Sequence, residues 1–292
     1  MAGDEPIAVR SAPARRVAEE WALVLASQGL SPTLGSSAEA WTIAVPAQQA
    51  ERAEAALAAY ESERGDPIQR EAIPLWAGDG ALRGGLLVAA GLLAAHLATE
   101  TGVRGPHWVS RGAADAAQIL SGEAWRVVTA LTLHLDAGHV VSNVLALGLF
   151  LPAVFRLFGP GLGGALVLLA GAGGNGVNAF VHQTAHVSVG ASTAVFGAVG
   201  LLGACGIMRR RRIGTRGPRM WIPLAAALAL LATLGTSGER TDFWAHGLGF
   251  AVGAGLGLGI GRWLDRPPSP ALQWVLGVAA IATLVGSWML AI

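Results

Sequence analysis

From residue 84 onward the chain is a series of mostly apolar runs, at about 84–99, 139–155, 161–181, 190–208, 221–236, 244–263 and 271–292. Each is near the roughly 17–25 residues that a helix needs to cross a bilayer. Lipid offers no partner for backbone polar groups, so the runs are expected to be helices. Gly and Ala recur in them, which suits helices packed backbone to backbone. The first 60 residues read differently. Residues 7–10 look like a short strand, and Val17, Trp21, Leu25 and Gly29 have helical spacing within 13–30. A polar turn and a second strand follow; residues 40–45 alternate as a third, and 48–60 form an Ala- and Glu-rich helix. The order βαββα predicts a small two-layer α+β domain over 1–60, with a linker at 61–83.

Composition sharpens the division. The chain is 53% hydrophobic and 13% charged, where soluble domains carry roughly 25% charged residues. No Asp or Glu occurs between Asp136 and Glu239, as expected where an ionised carboxylate costs several kcal/mol. A net charge of +1 gives no reason to expect a nucleic-acid partner. The N-terminus shows no cleavable signal peptide, and the single cysteine, Cys205, reads as a small core residue. Every basic residue is Arg, and with the many Ala and Gly this hints at a GC-rich bacterial genome.

Arg placement sets an expected orientation. With the N-terminal domain in the cytoplasm, Arg83, Arg156, Arg209, Arg210, Arg211, Arg212, Arg216, Arg219, Arg262 and Arg266 lie on that side. Arg104, Arg111, Arg126 and Arg240 lie outside, ten against four. Seven spans then put the C-terminus outside, with the bacterial inner membrane as the expected location.

Polar residues interrupt three spans at one depth. The second begins near His139 and Asn143, four residues apart and so on one helix face. The fourth opens with Gly190-Ala191-Ser192-Thr193-Ala194-Val195-Phe196-Gly197, and the sixth with Asp242-Phe243-Trp244-Ala245-His246-Gly247-Leu248-Gly249. All three spans run from outside to inside, so Ser192, His246, His139 and Asn143 share a layer just under the outer surface. Buried polar groups in lipid are costly, and a coplanar set marks a functional site. A serine hydroxyl needs a base to attack at neutral pH, and His246 is at the right depth. Gly247, Gly249, Gly253 and Gly257 would let its helix approach Ala194, Gly197 and Ala198. The third to fifth spans hold no acid, and Asp242 is expected at the aqueous edge, so the reading is a dyad. Free N–H groups at the Ser192 helix start would favour an oxyanion. Taken singly, Ser192 could bond back to its own helix, His246 could be interfacial and Asn143 could bridge helices. Together they read as catalytic.

These motifs resemble the rhomboid family of intramembrane serine proteases. Gly190 to Gly197 looks like its Gly-x-Ser-x-x-x-Phe-Gly motif. Ala245-His246 with Gly249 and Gly253 resembles its histidine helix, and His139-x-x-x-Asn143 its second-helix signature. Gly112-Ala113 and Glu123-Ala124-Trp125-Arg126 resemble the outer loop before that helix, and His134 a structural histidine there. The likeness covers roughly residues 80–265. It implies a polytopic α-helical membrane protein with a six-helix rhomboid-like core over 84–265. Residues 266–292 then add a seventh, C-terminal helix behind the small α+β domain. It also implies oxyanion donors from His139, Asn143 and the Ser192 backbone, and substrates that are transmembrane proteins, often single-pass. Beyond membrane lipid no other partner is implied, and no cofactor or metal is expected. Thr193 stands where family members often have Gly.

Rival readings have less behind them. An inactive rhomboid-like binder or chaperone would lack Ser192 or His246. A transporter would want a midplane site and internal repeats. Neither a His-Glu-x-x-His metalloprotease signature nor paired membrane carboxylates occur.

Overall fold

The computed structural model describes residues 6–12, 15–36, 40–64, 79–101, 107–183, 186–212, 214–215, 217–234, 242–263 and 267–292. They form two compact units, Met1–Ala72 and Ile73–Ile292. Most of the expected linker at 61–83 lies outside the described residues, as do Arg104, Arg216, Arg240 and Arg266.

The first unit runs β1 (Pro6–Ala12), α1 (Arg15–Ser27), β2 (Thr33–Ser36), β3 (Trp41–Pro46) and α2 (Ala50–Arg64). Its sheet is antiparallel in the order β1-β3-β2, with Ile7 opposite Val45 and Leu34 opposite Ile43. Period-two alternation aims Ile43 and Val45 at one face. Leu25 of α1 and Ala53 and Leu57 of α2 bury against them. Tyr60 donates to Glu20 at 2.6 Å, and Arg10 pairs with Glu61 at 2.5 Å.

The second unit is helical. It contains α3 (Gly80–Thr101), α4 (His107–Gly112), the two-residue β4 (Ala114–Asp115), α5 (Ala116–Leu120) and α6 (Arg126–Thr129). After these come α7 (Ala137–Phe158), α8 (Pro160–His182), β5 (Val187–Ser188), α9 (Ser192–Arg212), α10 (Ile222–Leu234), α11 (Phe243–Trp263) and α12 (Pro270–Ala291). Six of them are long and apolar enough to cross a membrane: α3, α7, α8, α9, α11 and α12. The fifth expected span, 221–236, is α10 over Ile222–Leu234, preceded by a 3-10 turn from Pro218 to Trp221; residues 235 and 236 lie outside the described residues. The protein is an integral membrane protein built mainly of helices.

Helix α9 is the hub, packed against α7, α8, α10 and α11. Leu147, Leu151, Val154 and Phe155 of α7 meet Leu166 and Val167 of α8 and Val195, Ala198 and Leu201 of α9 in one core. The α9–α11 contact is tighter still. Thr193, Gly197 and Leu201 on one helix oppose Gly249, Gly253 and Gly257 on the other, each row stepping by four. A Cβ on Gly257 would stand 2.7 Å from the Leu201 carbonyl oxygen, and one on Gly253 would strike the Gly197 backbone. The expected seam is therefore corrected at two places. Gly247 has open space beside it, and Ala194 faces Gly171 of α8.

Helix α12 lies along α8 and α6 and is fastened near each end. Gln273 donates to the Phe158 carbonyl at 2.6 Å and accepts the Leu162 N–H at 2.9 Å. It thereby bridges the Gly159–Pro160 turn, where Gly159 has φ +80°. At the other end the Trp288 indole donates to Thr132 Oγ1 at 3.1 Å and stands edge-on to Trp108 at 5.3 Å.

Candidate active site

Ser192 is the first residue of α9 and follows a turn that only glycine suits. Gly190 has φ +129°, a backbone region that L side chains rarely adopt. It is crowded as well: a Cβ there would lie 2.6 Å from His139 Nε2 and 3.5 Å from Ser192 Oγ. The imidazole of His139 and the hydroxyl of Ser192 thus flank one small space. Two hydrogen bonds fix the turn: Gly190 N–H to the Ala130 carbonyl at 2.9 Å, and Ala191 N–H to His134 Nε2 at 3.3 Å.

Accepting that bond requires an unprotonated Nε2 on His134. Burial, with His139 and His96 close by, pushes the His134 pKa down to about 4. Its ring lies edge-on to His139 at 5.0 Å and to His96 at 6.1 Å.

His139 and Asn143 share the expected face of α7. Asp136 begins that helix by accepting the His139 N–H at 2.8 Å, the usual N-cap arrangement. Asn143 is 4% exposed, and its amide donates to the His139 carbonyl at 2.9 Å. One amide proton is therefore engaged, and a carboxamide has two.

His246 enters from α11, 7% exposed, its ring 4.6 Å from that of Phe196. Phe196 stands four residues after Ser192, one turn down the same helix. Both His246 and Ser192 therefore sit above the glycine seam. Thr193 points away from the hydroxyl of its neighbour. It is 2% exposed, and its methyl group would meet a Cβ on either Gly174 or Gly249 at under 3 Å. The extra bulk at this position is absorbed by glycines on two adjoining helices.

The loop between α4 and α7 is braced by one buried guanidinium. Arg126 donates to Glu123 at 2.6 Å, to the Ser110 and Ala113 carbonyls at 3.0 and 3.1 Å, and to Gln118. Sequence reasoning placed Glu123 and Arg126 in this loop. It did not find that His134 holds the Ala191 N–H, although Asp136-x-x-His139 before an apolar run was a visible cap signal. Among the described residues, no cluster of His, Cys, Asp and Glu could hold a metal ion.

Comparison with known proteins points the same way. The family profile of the Rhomboid domain matches residues 121–263. The Rhomboid protease GluP of Bacillus subtilis is 37% identical over 144 residues, 49% of this chain and 25% of GluP. YdcA of the same organism, also a rhomboid by name, is 31% identical over 137 residues, 46% of this chain and 66% of YdcA. RHOMBOID-like protein 5 of Arabidopsis thaliana is 34% identical over 92 residues, 31% of this chain and 30% of the plant protein. The aligned part thus falls short of two thirds of each relative. The profile match takes in Glu123–Arg126, the Ser192 turn and the His246 helix, and this chain belongs to the rhomboid family.

Proposed function

We propose that the protein is an intramembrane serine endopeptidase in which Ser192 is the nucleophile and His246 the general base. The observation that carries this reading is the Ser192 turn itself. A glycine-dependent turn delivers a serine to the first position of a buried helix, against which the helix of His246 packs at backbone distance. In the reaction His246 takes the hydroxyl proton as Ser192 Oγ attacks the scissile carbonyl. The tetrahedral oxyanion is met by N–H groups free at the α9 start, with His139 and the second Asn143 amide proton as side-chain donors. His246 then protonates the leaving amine, and water hydrolyses the acyl-enzyme.

Membrane-spanning proteins are the substrates of this reading, with single-pass proteins carrying small, helix-weakening residues near the cut as the first candidates. The Arg distribution favours a cytoplasmic N-terminal domain and a site opening to the outer face of a bacterial inner membrane. An inactive relative that merely binds membrane proteins has less support, because both Ser192 and His246 are retained. The test is a fluorescent fluorophosphonate applied to detergent-purified protein. It should label the parent, and Ser192→Ala should lose both labelling and cleavage of a single-span reporter. His246→Ala should lose nearly all turnover. Undiminished labelling of Ser192→Ala would sink the assignment.

A further inference from the structure

Asp242 stands one turn before His246 and is held from three sides. Its Oδ1 accepts the Ala245 N–H at 3.0 Å, which caps α11. Its Oδ2 accepts from His186 Nε2 at 2.7 Å and from the Asn178 amide of α8 at 3.3 Å. Burial alone would raise its pKa. The Ala245 N–H, His186 and the Ser188 hydroxyl outweigh that and hold the carboxyl below its ordinary value. His186 in turn stacks on His182 with ring centres 4.3 Å apart. His182 donates through Nδ1 to the Asn178 carbonyl at 3.0 Å and meets the Trp244 ring edge-on at 5.9 Å.

The segment carrying His186 runs directly into the nucleophile. The Ala116 N–H donates to the His186 carbonyl at 2.9 Å, and β5 then pairs with β4 before the Gly190 turn. One carboxylate therefore joins the approach to Ser192 with the start of the helix that bears His246. It does so where the glycine seam gives no help, since the seam begins at Gly249 and Gly247 has open space beside it. Phe196 and His182 make ring contacts at this end of α11, and the carboxylate adds a polar fastening to them.

We propose that His186 and Asp242 form a positioning bridge that keeps His246 in register with the Ser192 turn. The inference rests on the protease reading above. Both are positioning residues, acting through the two elements they join. Small displacements of a catalytic group cost a great deal, about 100-fold for a shift of 1 Å.

The experiment uses the full chain in detergent with the fluorophosphonate and the single-span reporter. His186→Ala and Asp242→Ala should each lower kcat about tenfold or more, with KM within about twofold, and should slow the labelling of Ser192. The double variant should lose little beyond Asp242→Ala alone, because His186 acts through that carboxylate. His186→Gln, whose amide N–H can reach the same carboxylate, should recover most of the kcat, which a general loosening of the fold would not allow. Rates are taken per folded molecule, from monodisperse material with a measured melting temperature. Parent-like kcat in His186→Ala overturns the bridge. So does a loss explained by a smaller folded fraction, or one that His186→Gln leaves unrepaired. A parent that neither labels nor cleaves overturns the protease reading and the bridge with it, so the two failures are told apart by the parent alone.

Discussion

Helices α9 and α12 solve the same problem in opposite ways. Of their most apolar stretches, 72% is buried in α9 and 6% in α12. In lipid an apolar surface gains little by leaving its surroundings, so a helix must be held by close packing or by polar contacts. Helix α9 uses packing, with α11 lying against it along Gly249, Gly253 and Gly257. Helix α12 leaves Trp274, Ile281 and Met289 exposed and is held by Gln273 at one end and Trp288 at the other. The first contact is continuous and intolerant of added volume. The second is local: a Cβ on Gly161 would strike the Gln273 carbonyl, yet most of the apolar surface of α12 stays bare.

The sharpest way to break this contrast is to add one methyl group. Gly253→Ala drives a Cβ into the Gly197 backbone, which cannot rotate aside. It should cost up to about 3 kcal/mol and remove most activity. Gly255→Ala and Gly259→Ala, on the same helix but facing open space, should melt at or slightly above the parent. Melting curves of the three variants in one detergent decide it, and equal losses in all three would dissolve the seam.

Acid should probe the α9 side alone. The ordinary histidine pKa is 6.5 and that of His134 is about 4, so between these values the unfolded chain binds a proton that the folded one refuses. Stability is therefore full above about pH 6.5 and falls as the pH drops towards 4, by at most about 3 kcal/mol. His134→Gln, which can still accept the Ala191 N–H, should flatten that part of the profile. The fastenings of α12 through Gln273, Trp288 and Thr132 contain no group that titrates there. An unchanged acid slope in His134→Gln would remove His134 as its source.

The smallest effect is expected at α12. Gln273→Leu leaves the Phe158 carbonyl and the Leu162 N–H without their partner. A cost of about 1 kcal/mol is typical of a hydrogen bond between membrane helices. Labelling of Ser192 should continue at close to the parent rate. A collapse of activity in this variant would make α12 as integral to the site as α11.

The same contrast governs what could be read from sequence. Spans were legible because lipid demands a long apolar run, and α10 starts at Ile222, one residue after the expected start, where the 3-10 turn from Pro218 to Trp221 ends. The proposed site residues Ser192, His246, His139 and Asn143 stand out in sequence through local motifs. Which glycines form the seam was only partly so, since Gly247 and Gly249 look alike in sequence and differ entirely in surroundings. Gln273 and Trp288 reach partners 111–156 residues away, and His186 reaches Asp242 across 56. Periodicity carries no information at such separations. Nor does it reveal strands of two residues such as β4 and β5.

The separation of 156 residues between Trp288 and Thr132 also has a consequence for how the protein is made. At about 5–20 residues per second, the ribosome reaches Trp288 roughly ten to thirty seconds after Thr132. For that interval the loop around Thr132 exists with no α12 to lean on. The buried Arg126 network joins residues no more than 16 apart and can close as soon as the loop emerges. The nascent protein can therefore shape the loop early and lock it late, with α12 sliding in as the last piece of a frame that already stands.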